Sequence, residues 1–133
     1  MSRRSRAREV ALQILFEDDV NPRASVEDIK KFLSNRLNAP ELEEFCLSLI
    51  QGVRRNQMEL DDLLSKTADN WSLARMAATD RNVLRLGAYE ILYTETPDRA
   101  AINEAVELAK RFGSAQSAQF VNGILDKFIN RGT

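Results

Sequence analysis

Apolar residues recur every three or four positions along nearly all of this 133-residue chain, and no stretch alternates polar and apolar with period two for long. A period near 3.6 lays the apolar side chains along one face of an α-helix, so each segment must bury its stripe against another helix. Five glycines and three prolines are few for a turn-rich all-β fold. The pattern predicts an all-α chain of about seven helices with short connections.

The first stripe, Ala7, Val10, Ala11, Ile14 and Leu15, predicts a helix over about residues 4–18, stopped by Asn21-Pro22 because proline disfavours helical geometry in the residue before it. Ser25 to Asp28 reads as a capping signal for a second helix carrying Val26, Ile29, Phe32, Leu33 and Leu37. Pro40 suits the first turn of a third, whose stripe is Leu42, Phe45, Cys46, Leu49, Ile50 and Val53, continuing through Leu60, Leu63 and Leu64. Gly52, about 1 kcal/mol worse than alanine inside a helix, leaves room for a bend.

Asp69-Asn70-Trp71-Ser72 breaks the periodicity and is the expected boundary between subdomains of about 1–68 and 69–133 within a single domain 1–133. Trp71 is read as a plug between the halves rather than a ligand platform. A short helix with Leu73 and Met76 is expected next, then one capped by Thr79 and carrying Val83, Leu84, Ile91 and Leu92, with Gly87 permitting close approach of a neighbour. Thr96-Pro97 opens a helix with Ile102, Ala105, Val106 and Ala109 inside and Gly113 as its left-handed stop. Ser114 to Gln119 forms a polar joint before the last helix, which carries Phe120, Val121, Ile124, Leu125 and Phe128.

The net charge of −1 conceals an asymmetry: residues 1–8 hold Arg3, Arg4, Arg6 and Arg8 and no acid, leaving 15 basic against 20 acidic side chains elsewhere. Arginines in the first turn of a helix oppose its macrodipole, which stability alone does not favour. Two readings of the arm stay open, a solvated tail and a contact for an anionic polymer. The single cysteine, Cys46, lies on an apolar stripe and is expected to be a buried structural thiol. No apolar run is long enough to span a bilayer, and no apolar stretch follows the arginines as in a secretory signal, so a cytoplasmic chain with no membrane contact is expected.

Histidine is absent, which excludes histidine-based triads and histidine metal sites. The glycines have neither P-loop nor dinucleotide-loop spacing. Asp18-Asp19 and Asp61-Asp62 are read as solvated surface acids rather than an acid/base pair. No enzymatic activity and no cofactor are therefore expected. Asn103 and Asn122 are read as side chains that satisfy backbone groups at helix ends. For Phe120, beside an amide-rich joint, core packing and stacking on an unpaired base both remain open.

Three runs in order resemble the NusB family of transcription antitermination factors. The first is the Arg-rich run from Arg3 to Phe16; the second extends from Trp71 through Asp80-Arg81-Asn82-Val83-Leu84-Arg85-Leu86-Gly87-Ala88-Tyr89-Glu90 to Leu92. The third joins Ala101 to Gly113, with Ile102-Asn103-Glu104-Ala105, to Ser117 and Phe120-Val121-Asn122-Gly123-Ile124-Leu125-Asp126-Lys127. The resemblance implies two packed helical bundles without catalytic activity. It implies binding of single-stranded boxA RNA together with the ribosomal small-subunit protein NusE, joining RNA polymerase in antitermination complexes on ribosomal RNA operons. Some members form homodimers that hide the RNA surface, so self-association is part of the expectation.

Carried over to this chain, the RNA-binding residues are Arg3, Arg4, Arg6, Arg8, Gln116, Ser117, Gln119 and Phe120, with the arm and the joint expected to form one groove. The partner-binding residues are Asp80, Arg81, Arg85, Tyr89 and Glu90, the last two being residues that can instead pack internally. Gln116 stands where some relatives have an acid, which removes repulsion toward phosphate, and Phe16 stands where tyrosine is common. Two other classes compete with this reading: a helical protein–protein adaptor, and a detached relative of the NusB-like domain of RNA methyltransferases.

Overall fold

The computed structural model describes residues 2–69 and 72–130. Trp71, expected as a plug, lies outside them. The described residues form α1 (Arg3–Val20), α2 (Val26–Leu37), α3 (Pro40–Thr67), a 3₁₀ turn (Leu73–Arg75), α4 (Ala78–Tyr93), α5 (Asp98–Phe112) and α6 (Ser117–Ile129), and contain no strand. The all-α reading of about seven helices holds, with six α-helices and a 3₁₀ turn where the short helix carrying Leu73 was expected. None of these helices is long and apolar enough to cross a membrane.

The chain divides into two compact units, Met1–Arg54 and Arg55–Thr133. The division falls inside α3 rather than at residues 69–72. The broken periodicity there marks where a helix ends, whereas the later part of α3 already pairs with C-terminal residues: Asp61 with Arg85, and Glu59 with Tyr93.

In the first unit, α1 starts on Ser2, whose Oγ accepts the Ser5 N–H at 3.0 Å, and it carries no acid in its first turn. Ser25 caps α2 by accepting the Asp28 N–H at 3.1 Å, as its sequence signal predicts. Pro40 is the first residue of α3, and Gly52 is accommodated without interrupting that helix. The buried side chains follow the predicted stripes, with Ala7, Val10, Ala11 and Leu15 on α1, Ile29 and Leu33 on α2, and Leu49, Ile50 and Val53 on α3. Asp18, expected to be solvated, is largely buried and clamps Arg54 through two 2.7 Å hydrogen bonds, and Arg54 also donates to the Ala24 carbonyl.

In the second unit α4, α5 and α6 pack against one another. At Gly87 they meet closely: a Cβ there would stand 2.8 Å from Leu125 Cδ1 and 3.3 Å from Ala105 Cβ. Two expected helix ends are drawn differently. The residue preceding α4 is Ala77, with no side-chain cap, and Thr79 lies inside the first turn. Gly113 follows α5 in an extended conformation, φ −96° and ψ −167°, not a left-handed one. Glycine is required there for space, since a Cβ would lie 2.4 Å from Ser117 Oγ and 2.8 Å from the Ala109 carbonyl.

Cys46 is fully buried, and that burial pushes its thiol up to about 12. Because the folded thiol resists ionisation while the unfolded one ionises near pH 8.5–9, the native state binds the extra proton and stability falls as pH rises above about 9 toward 12. Cys46→Ala should flatten that alkaline slope in unfolding titrations. At pH 8 the native thiol should stay unreactive to a disulfide reagent until denaturant is added.

Candidate nucleic-acid interface

In the first unit the arginine arm forms the opening of α1. Arg4 and Arg8, four apart, share a helix face, and both guanidinium carbons lie over the Phe45 ring of α3, at 4.4 and 5.2 Å from its centroid. Arg3 donates to Glu41, one helical turn before Phe45, at 2.8 Å, with both side chains largely exposed. That carboxyl is held below its ordinary range, first by its own backbone N–H and then by Arg3. Arg6 is exposed on another face of α1.

The arm is therefore not four equivalent unpaired cations. Arg8 is only 6% exposed, Arg3 already has a carboxylate, and Arg4 is exposed over an aromatic ring. The role of Phe45 escaped the sequence reading, which placed it on the core stripe of α3. The only local sign was its i, i+4 spacing from Glu41.

In the second unit the joint closes on itself. Ser117, the first residue of α6, is 1% exposed; its Oγ accepts the Ser114 N–H at 2.8 Å and lies 3.2 Å from Ser114 Oγ. It orders the turn and is not at the surface. Gln116 and Gln119 are exposed. Phe120 is half-buried, neither sealed in the core nor free of it. It lines an open groove of about 250 Å³ with Thr67, Ala68, Asp69, Gln119, Gly123, Ile124 and Lys127.

Across that groove Lys127 Nζ meets Asp69 Oδ2 at 2.9 Å, both well exposed. Lys127 was missed, although 120, 123 and 127 share a helical face by spacing alone. Gly123 is exposed, and no described atom lies within 4 Å of where its Cβ would be. Asn103 and Asn122 are also exposed, within α5 and α6 rather than at their ends, so they do not satisfy terminal backbone groups.

The partner-binding candidates separate by burial. Arg85 is 5% exposed and held by Asp61 through bonds of 2.7 and 2.9 Å, with Asn82 accepting a further N–H at 3.2 Å. Asp61, expected on a solvated face, is thus half-buried and paired. Arg81 donates to the Leu73 and Met76 carbonyls, closing the 3₁₀ turn. Glu90 is buried and accepts from the Thr96 hydroxyl. Tyr89 is half-buried and stacks on Tyr93, whose hydroxyl donates to Glu59; that carboxylate holds the phenol above its ordinary range. Asp80 Oδ1 is buried with no hydrogen-bond partner among the described residues.

Among known proteins, the NusB family profile matches residues 5–130. The transcription antitermination protein NusB of Desulfatibacillum aliphaticivorans is 44% identical over 127 residues, covering 95% of this chain and 89% of that protein. A structure of T. maritima NusB superposes with a TM-score of 0.85 at 35% identity, covering 98% of this chain and 92% of that one. A crystal structure of antitermination factors NusB and NusE in complex with dsRNA gives 0.83 at 25% identity over 98% of each chain.

The Asp61–Arg85 pair offers a direct test of its structural role. Replacing Asp61 with alanine takes the carboxylate from a buried guanidinium, which costs several kcal/mol in well-buried pairs. With the Asp61 side chain 31% exposed, a loss of about 2–4 kcal/mol is expected, read as a lower urea midpoint at unchanged m-value.

Proposed function

The chain belongs to the NusB family, and from that premise we propose that it is a non-catalytic RNA-binding adaptor in transcription antitermination. It takes up single-stranded boxA-type RNA together with the ribosomal protein NusE and joins RNA polymerase complexes on ribosomal RNA operons. The observation that carries this reading is the likeness, over 98% of the chain, to a NusB held with NusE and double-stranded RNA.

Physical chemistry supports the division of labour. The exposed Arg4 and Arg6 supply phosphate contacts, which position an RNA without reading its sequence. Phe120 and Gln119 suit an unstacked base, with a ring for its face and an amide for its edge. Gln116, exposed and neutral, puts no negative charge beside the phosphates. Beyond the arm the charge balance is 15 basic to 20 acidic, so a basic partner that adds positive surface strengthens RNA capture.

Duplex and single-stranded RNA separate the two contact types, because an A-form duplex shows phosphates but hides its base faces. Arg4→Ala with Arg6→Ala should weaken both RNAs and flatten the log–log salt dependence by about 0.7 per lost contact on single strands. Binding with unchanged affinity and slope rejects the proposal. Phe120→Ala should weaken the single strand and spare the duplex. If it leaves both unchanged while lowering the melting temperature, the ring belongs to the core alone.

A further inference from the structure

We propose that Phe45 is a positioning residue for RNA binding, an aromatic seat that fixes the exposed Arg4 guanidinium before any RNA arrives. The inference rests on the reading of the arm as a phosphate contact. Arg4 and Arg8 reach the same ring from successive turns of α1, with their guanidinium carbons 4.4 and 5.2 Å from its centroid. Phe45 is only half-buried, so its ring serves both as packing and as a floor for cations.

The chemistry favours a seat over a competing partner. A carboxylate would occupy the guanidinium N–H donors and leave few for phosphate. A ring attracts the cation through its π face, while the guanidinium hydrogen bonds run along its own edge. Phe45 thus restricts the Arg4 side chain without consuming its donors. An arginine otherwise loses side-chain rotamer freedom when it orders on a phosphate. Glu41 has the contrasting arrangement: it accepts an Arg3 N–H at 2.8 Å, so its carboxylate competes with a phosphate for that guanidinium. The same face of α3 therefore meets one arginine with a ring and another with a charge.

The test uses the full chain and a short single-stranded boxA-type RNA. Phe45→Leu keeps the apolar bulk and removes the π face; it should weaken binding by about threefold to tenfold. Phe45→Tyr, which keeps the face, should bind within about twofold of the native chain. In an Arg4→Ala background the Phe45→Leu loss should shrink to less than half its size on a logarithmic scale, because most of what the ring positions is gone. A Phe45→Leu protein that binds as tightly as the native one overturns the proposal. So does a loss that is undiminished in the Arg4→Ala background, since the ring would then act through the fold in general. If Arg4→Ala itself leaves binding unchanged, the reading of the arm fails and the seat fails with it; if Arg4→Ala weakens binding and Phe45→Leu does not, only the seat is wrong.

Discussion

The C-terminal unit depends on how closely three helices can approach at one point. At Gly87 the absent side chain leaves room that Leu125 of α6 and Ala105 of α5 occupy. Protein interiors are packed as densely as organic crystals, so a side chain at 87 would force Leu125 out of its present position and press on Ala105. The seating of α6 on α4 in turn fixes its opening turn, where Gln119 and Phe120 lie. A candidate RNA surface is thereby set by a glycine that never meets solvent.

Charge is arranged with similar economy inside each unit. Arg54 and Arg85 are drawn out of water and each is met by a carboxylate from a distant part of the chain, Asp18 and Asp61. Such pairs contribute little net stability against an apolar alternative, but they penalise any packing that separates the partners. Arg3 and Arg4 of the arm are treated otherwise, on a weak exposed pair that can be given up and on an aromatic ring. The two sets of cations thus differ in what it costs to release them.

Much of the fold was legible because helices write their buried faces locally. Ser25, Pro40 and Gly87 each act where their side-chain chemistry predicts, and the centres of the apolar stripes lie inside, while flanking members such as Phe32, Leu37, Ile91 and Leu92 are half-buried. What stayed hidden came from partners far apart in sequence. The pairings of Asp18 with Arg54 and Asp61 with Arg85 span 36 and 24 residues, so no local pattern distinguishes those acids from solvated ones. Arg8 reads as surface by composition and is buried because α3 brings Phe45 beneath it. The same limit applies to the candidate site. Residue types pointed to an arm and a joint, while burial divided Ser117, Arg8 and Arg85 from Gln119, Arg4 and Arg6.

The turn between α5 and α6 is built on a single shared volume. Ser117 Oγ fills the space a Cβ at position 113 would need, and from there it holds the Ser114 N–H. Neither residue is free to drift alone: a side chain gained at 113 must evict the hydroxyl at 117, and the loss of that hydroxyl strands an amide. A methyl at 113 would press on the Ala109 carbonyl as well, so trimming position 117 cannot by itself make room, and the glycine is held in place by main chain as much as by its neighbour.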